Sequence, residues 1–147
     1  MKIRYAILKD AEDITKNNKL LAKESENLTI DNNTVLAGVK ALLSDKNKGF
    51  YLVAEENDKN IGQLMITFEW SDWHNKNMWW LQSVYVNELW REKGVFSLMF
   101  NKIKELALEN DVDILRLYVH IDNKKAKEVY KTKEMEKEPY AIYQISL

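Results

Sequence analysis

Hydrophobic residues recur along this chain at two spacings, every second position and every third or fourth, and the switches between them mark out its elements. Ile3, Tyr5 and Ile7 share one face of a strand over Lys2–Ile7. Asp10, with Asp13 three positions on, predicts a capped helix running to about Lys23 with Ala11, Ile14, Leu20 and Leu21 inward. After the polar stretch Ser25–Asn33, Asp31 or Asn32 can cap a second helix carrying Val35, Leu36, Val39, Leu42 and Leu43. Phe50–Glu55 and Ile61–Trp70 read as a hairpin, and Gly62 marks either a bulge or a close backbone approach. A polar loop, Ser71–Asn77, leads to a further strand over Met78–Val86. Ile114–Val119 alternates as another strand, Asp122 caps a short lysine-rich helix ending near Lys133, and Tyr140–Leu147 alternates as a terminal strand.

The densest information lies between Trp79 and Asn110. The strand WWLQSVYV is apolar on both faces, which suits a central position in a sheet. The helix that follows carries Val95, Leu98, Met99, Ile103, Leu106 and Ala107 as one stripe. Between them stands Arg91-Glu92-Lys93-Gly94. A glycine where a strand feeds a helix either makes a tight turn or brings backbone N–H groups up to an anion at the helix N-terminus.

The order is β-α-α-β-β-β-α-β-α-β, an α/β arrangement with a mixed sheet in a single domain over 1–147. With 46% hydrophobic and 31% charged residues, one proline and four glycines, the composition is that of a packed domain. A net charge of −1 gives no bulk attraction to nucleic acid or to an anionic membrane, so an anion site must be local. No cysteine is present, which excludes disulfides, thiolate metal sites and a cysteine nucleophile. His74 and His120 lack metal-ligand spacing. The first residues form no apolar signal core and no run reaches membrane-span length, so a cytoplasmic protein is expected, with neither nucleic acid nor membrane as partner. A monomer and a homodimer are equally compatible with these features.

With these elements and residues in hand, the chain resembles the GNAT family of N-acetyltransferases. VYVNELWREKGVFSLMF is similar to that family's acetyl-CoA motif, an Arg or Gln followed by two residues, a Gly, one residue and a Gly or Ala. Arg91 and Gly94 match; Phe96 stands where the small residue is expected. LYVHIDNKKAKEVY resembles a second signature, with Asn123, Ala126 and Tyr130 on one helix face. The resemblance implies acetyl-CoA as co-substrate, held by Tyr85, Val86, the loop Arg91, Glu92, Lys93, Gly94, Val95 and Phe96, and by Asn123 and Ala126. It implies Tyr130 as the acid that protonates the departing thiolate.

A general base is less directly indicated. Where polyamine-acetylating members of the family carry acidic residues, this chain has Gln82 and Ser83, leaving Glu69, Asp72 and His74 near the acceptor mouth, with Glu69 the chosen candidate. Trp70 and Trp73 either complete core packing or wall an acceptor pocket. Three functions are compatible with the sequence: acetyl transfer from acetyl-CoA to an amine of a small molecule or protein through a ternary complex, a coenzyme-binding regulatory module without turnover, and a non-enzymatic interaction domain using the tryptophan-rich surface.

Overall fold

A computed structural model describes residues 1–147. Its elements are β1 (Lys2–Tyr5), α1 (Ala11–Glu26), α2 (Asn32–Leu43), β2 (Phe50–Glu56), β3 (Lys59–Ser71), β4 (Lys76–Val86), α3 (Val95–Glu109), β5 (Leu115–Leu117) and α4 (Lys124–Lys131). The strands lie side by side in the order β1-β2-β3-β4-β5. The first four pair antiparallel, and β5 joins β4 in parallel after the crossover through α3.

Strand alternation sorts the apolar side chains onto two faces. Leu52, Leu64, Ile66, Trp79 and Leu81 pack against Val95, Met99 and Ile103 of α3, while Tyr51 and Val53 pack against Ala11 and Ile14 of α1 and Val39 and Leu42 of α2. Each fully buried aliphatic side chain contributes about 2 kcal/mol of transfer free energy. Gly62 marks a close approach: a Cβ there would stand 3.0 Å from Val95 Cγ1 and 3.3 Å from the Tyr85 carbonyl oxygen. It thereby lets the start of α3 sit directly on β3 and β4. No helix is long and apolar enough to cross a membrane.

Several boundaries differ from the sequence reading. Asp10 does not pair with Asp13; its carboxylate accepts from the Ile7 backbone N–H at 2.7 Å and from the Arg4 guanidinium at 2.8 and 2.9 Å. The charged partner outcompetes the helix end. Leu20 faces outward, 39% exposed, because the inner face of α1 carries Thr15 and Asn17 in addition to Ala11 and Ile14. Of the apolar stripe expected in α3, Leu98 is exposed, and Phe100 takes a buried place instead. The β3–β4 hairpin extends through Ser71 and from Lys76, leaving residues 72–75 of the expected loop as its turn, with Asn75 left-handed (φ 53°). Asn123, not Asp122, caps α4: its Oδ1 accepts from the Ala126 N–H at 3.1 Å.

The expected terminal strand, Tyr140–Leu147, does not form. Its neighbour would be β5, which is only three residues long and offers little ladder, and Pro139 removes a donor at its start. Tyr140, Ile142, Tyr143, Ile145 and Leu147 are left exposed.

Candidate functional site

The parting of β4 from β5 creates the site. Their pairing runs from Trp79↔Leu115 to Leu81↔Leu117 and stops, so Gln82 to Val86 have no neighbour on that side. β4 also bulges there. Met65 faces Gln82 and Gln63 faces Tyr85, so Ser83 and Val84 together oppose the single Leu64, and Ser83 is left-handed (φ 49°). A left-handed non-glycine costs about 1–2 kcal/mol, so the surroundings must hold it in place. The bulge re-aims the last part of β4 away from β5.

The loop after β4 is fixed to the strand it leaves. Arg91 Nε donates to the Val86 carbonyl at 3.0 Å, its Nη2 donates to Glu24 Oε2 of α1 at 2.7 Å, and its guanidinium lies 5.6 Å from the centre of the Tyr85 ring. Burial pushes the Tyr85 hydroxyl above its ordinary range, with the Glu24 charge acting in the same direction. Glu92 is left-handed (φ 61°), and Gly94 (φ 80°) forms the N-cap of α3 without a side chain to fill it. The first N–H groups of a helix have no intrahelical acceptor, so those of Val95, Phe96 and Ser97 remain available to a ligand, with the helix dipole behind them. Nothing lies within 4 Å of where a Gly94 Cβ would be.

This helix start opens into a groove of about 390 Å³ shared with α4. Its floor is Val86, Trp90, Val95 and Phe96; Arg91, Lys125 and Lys133 bring positive charge against the single carboxylate of Glu92. Lys133 Nζ donates to Ser97 Oγ at 2.6 Å, tying α4 to the first turn of α3. The arrangement suits a phosphorylated ligand with an apolar arm: backbone donors and lysines for the phosphates, and the gap between β4 and β5 for the arm.

The predicted residues separate into those the fold gathers and those it does not. Arg91, Glu92, Gly94, Val95 and Phe96 line the groove, with Lys93 nearby over the Trp90 ring at 5.2 Å, and Tyr85 and Val86 sit on the unpaired end of β4. Phe96 turns its ring into the core, 5.6 Å from Phe100 and 6.0 Å from Tyr130. Tyr130 is mostly buried, and burial alone pushes its hydroxyl upward. α4 presents Lys125 and Val129 to the groove and the turn after it adds Thr132 and Lys133, while Asn123, Ala126 and Tyr130 occupy the adjacent face.

Glu69 lies opposite Met78, eight positions before Val86, roughly 25 Å along the strand from the loop. It accepts from Arg116 Nη1 at 3.1 Å, beside a stacked pair formed by Trp80 and Tyr118 at 4.5 Å. Asp72, Trp73 and His74 lie farther still, at the hairpin tip, where the His74 ring is bonded to Ser71 Oγ at 2.9 Å. Trp73 is 91% exposed and Trp70 is also exposed, so neither completes the core. Lys125, Lys133 and Ser97 escaped the sequence reading. Their only signal was a basic helix and its exit packed against the motif loop, which requires the tertiary arrangement.

The acetyltransferase (GNAT) family pattern matches residues 10–134. A possible acetyltransferase from Clostridium difficile 630 superposes with a TM-score of 0.93 at 42% identity, covering 99% of this chain and 97% of that one. A predicted acetyltransferase from Clostridium acetobutylicum, solved with acetyl-CoA, shares the fold at 20% identity and TM-score 0.81, covering 98% and 95% of the two chains. A bovine (Bos taurus) thialysine N-epsilon-acetyltransferase is 34% identical over 71 residues, which are 48% of this chain and 41% of that protein. The chain thus aligns with about two fifths of the length of that curated relative. The family match and the architecture agree: the chain belongs to the acetyltransferase (GNAT) family.

Proposed function

We propose that this protein transfers the acetyl group of acetyl-CoA directly to an amine in a ternary complex. The observation that carries the reading is the convergence of two features on one path: the uncapped, glycine-initiated start of α3 and the gap where β4 leaves β5. In this reading the N–H groups after Gly94, with Lys125 and Lys133, receive the pyrophosphate, and the pantetheine arm continues between the strands toward Ser83.

Transfer from a thioester to an amine needs an uncharged nucleophile, stabilisation of the developing oxyanion and a proton for the thiolate. The backbone N–H of Val86, on the edge of β4 that β5 has left, supplies the second. Tyr130 supplies the third: its buried hydroxyl stays protonated through neutral pH and gives its proton as the carbon–sulfur bond breaks. Asn123 spends its Oδ1 on the helix cap, which leaves its Nδ2 as a donor for the amide groups of the arm, and Ala126 keeps that face of α4 low.

The acceptor side is the sheet face bearing Trp80, Tyr118 and Glu69, next to the side chain of Gln82, whose Nε2 donates to Thr67 Oγ1 at 2.5 Å. The aromatic pair offers a surface for an alkyl chain or an ammonium group, and Glu69, far along the strand from the Val86 end, is placed to face a distal cationic group of the acceptor while the reacting amine loses its proton to solvent. The thialysine acetyltransferase relative supports an amine on a flexible aliphatic chain as the acceptor class. A second reading, a coenzyme-binding module without turnover, is favoured by one observation: the nearest carboxylate on this face, Glu69, is already engaged by Arg116. Thiol release from acetyl-CoA, followed with diamines, lysine analogues and peptides, separates the two. The enzyme reading predicts an amine-dependent rate, and a rate at background with every amine contradicts it.

A further inference from the structure

The acceptor face carries an ion pair that leaves half of its bonding capacity unused. Arg116 of β5 reaches across β4, and its Nη1 donates to Glu69 Oε2 of β3 at 3.1 Å. A guanidinium and a carboxylate can close as a fork, with two parallel bonds. Here there is one, and Glu69 Oε1 and Arg116 Nη2 make none. Both side chains are open to solvent, at 32% for Arg116 and 41% for Glu69, so a ligand can reach them. A partly exposed pair joined by a single bond adds little to stability, and packing gives no other reason for it.

A strip suited to an alkyl chain leads from this pair to the gap between β4 and β5. Strand alternation puts Glu69, Trp80, Gln82, Arg116 and Tyr118 on one face of the sheet. Trp80 is the register partner of Arg116, whose guanidinium lies 6.0 Å from its ring centre, and it stacks on Tyr118 at 28°. Gln82 stands two positions farther on, about 7 Å along the strand, where the pairing with β5 has ended.

We propose that the acceptor is a free α-amino acid with an amine at the end of its side chain, its α-carboxylate held by Arg116 and its α-ammonium by Glu69. Such a head group carries both charges on neighbouring atoms, and the pair offers an unused acceptor and an unused donor side by side. A spacer of three or four methylenes, roughly 5 Å long, then runs over the Trp80 and Tyr118 rings and brings the terminal amine to the level of Gln82. The proposal rests on the acetyl-transfer reading for the gap as the place of reaction. There the neutral terminal nitrogen bonds to the acetyl carbon as the carbon–sulfur bond breaks; its proton passes to solvent, and the thiolate takes one from Tyr130. A diamine satisfies Glu69 alone, and a lysine inside a peptide presents neither head-group charge.

L-Lysine, lysinamide, which lacks the carboxylate, and Nα-acetyl-lysine, which lacks the ammonium, are titrated calorimetrically into the wild type, Arg116→Met and Glu69→Gln. Each titration is run with and without saturating coenzyme A, and folding of the variants is checked by circular dichroism. The wild type is expected to bind lysine at least about tenfold more tightly than either analogue. Arg116→Met is expected to lose the preference over lysinamide and keep that over Nα-acetyl-lysine, and Glu69→Gln to show the converse. No binding of lysine at millimolar concentration, equal binding of the three compounds by the wild type, or variants that weaken all three alike overturns the proposal. The titrations need no turnover: background thiol release with lysine bound refutes the acetyl-transfer reading alone, and release with diamines but no preference for lysine refutes this proposal alone.

Discussion

The ring of Phe96 meets the ring of Tyr130 edge-on, at 6.0 Å and 68°. The family resemblance implies a small residue at position 96, so that a pyrophosphate can approach the backbone. Here the bulky side chain leaves that space by turning inward, onto Phe100 and Tyr130, and the backbone donors stay open. Phe96→Ala is expected to lower stability by about 2 kcal/mol, since it deletes a partly buried aromatic contact. The acetyl-CoA Kd is expected to change less than about threefold, because the groups assigned to the phosphates are backbone N–H groups. Urea denaturation and calorimetric titration measure the two effects separately.

Tyr130→Phe retains the packing against Phe96 and removes only the hydroxyl. Turnover is expected to fall about tenfold to a hundredfold with coenzyme affinity nearly unchanged. Burial raises the hydroxyl above its ordinary value, so the acid form persists through neutral pH, and the wild-type rate is expected to show no decline on its account between pH 7 and 9. Equal losses in kcat and in affinity would reduce Tyr130 to a packing residue.

Glu69→Gln is expected to raise the KM for a diamine or lysine-type acceptor by about tenfold while kcat and the acetyl-CoA Kd are unchanged. A KM for that acceptor identical to that of the wild type would remove Glu69 from the acceptor site.

Arg4 holds Asp10 by a two-pronged contact at 2.8 and 2.9 Å and also donates to Glu55 at 2.5 Å, joining β1, β2 and the start of α1. The hydrogen-bonded guanidinium is the main reason the Asp10 carboxyl titrates below the usual carboxylate range, against the opposing effect of burial. A depressed folded-state pKa contributes stability that is present above the unfolded value, about 3.9, and is lost as pH falls through the folded value. Asp10→Asn is expected to destabilise the protein by about 2 kcal/mol at pH 7, with the difference from wild type shrinking below about pH 4. Thermal unfolding across pH 2.5–7 measures it, and a difference independent of pH would show that charge is not the cause.

The order of strands and helices was legible because amphipathic periodicity reports which face is buried, as with Val39 and Leu42 or Ile66 and Leu81. So was the turn at Gly94, since a turn requiring positive φ favours a glycine in the sequence. Asn123 drew attention for its spacing, but its role as the cap of α4 shows only in the geometry. The terminal strand failed for a non-local reason: alternation in Tyr140–Leu147 says nothing of whether a three-residue β5 can serve as its partner. Lys125, Lys133 and Arg116 were invisible because their partners lie on other elements, such as Ser97 and Glu69. Charges and amides are defined by what they meet, and sequence spacing does not carry that.

Coenzyme binding at the start of α3 underlies every step above, and Gly94 tests it most directly. At φ 80° a β-branched residue is strained, and the left-handed cap that exposes the first N–H groups of α3 is lost or distorted. Calorimetric titration of acetyl-CoA into the wild-type protein and Gly94→Val is the decisive measurement. Saturable binding of one acetyl-CoA per chain is expected for the wild type, with affinity weakened at least about tenfold in the variant. No binding to the wild type at millimolar acetyl-CoA, or equal affinity in the two proteins, would contradict it.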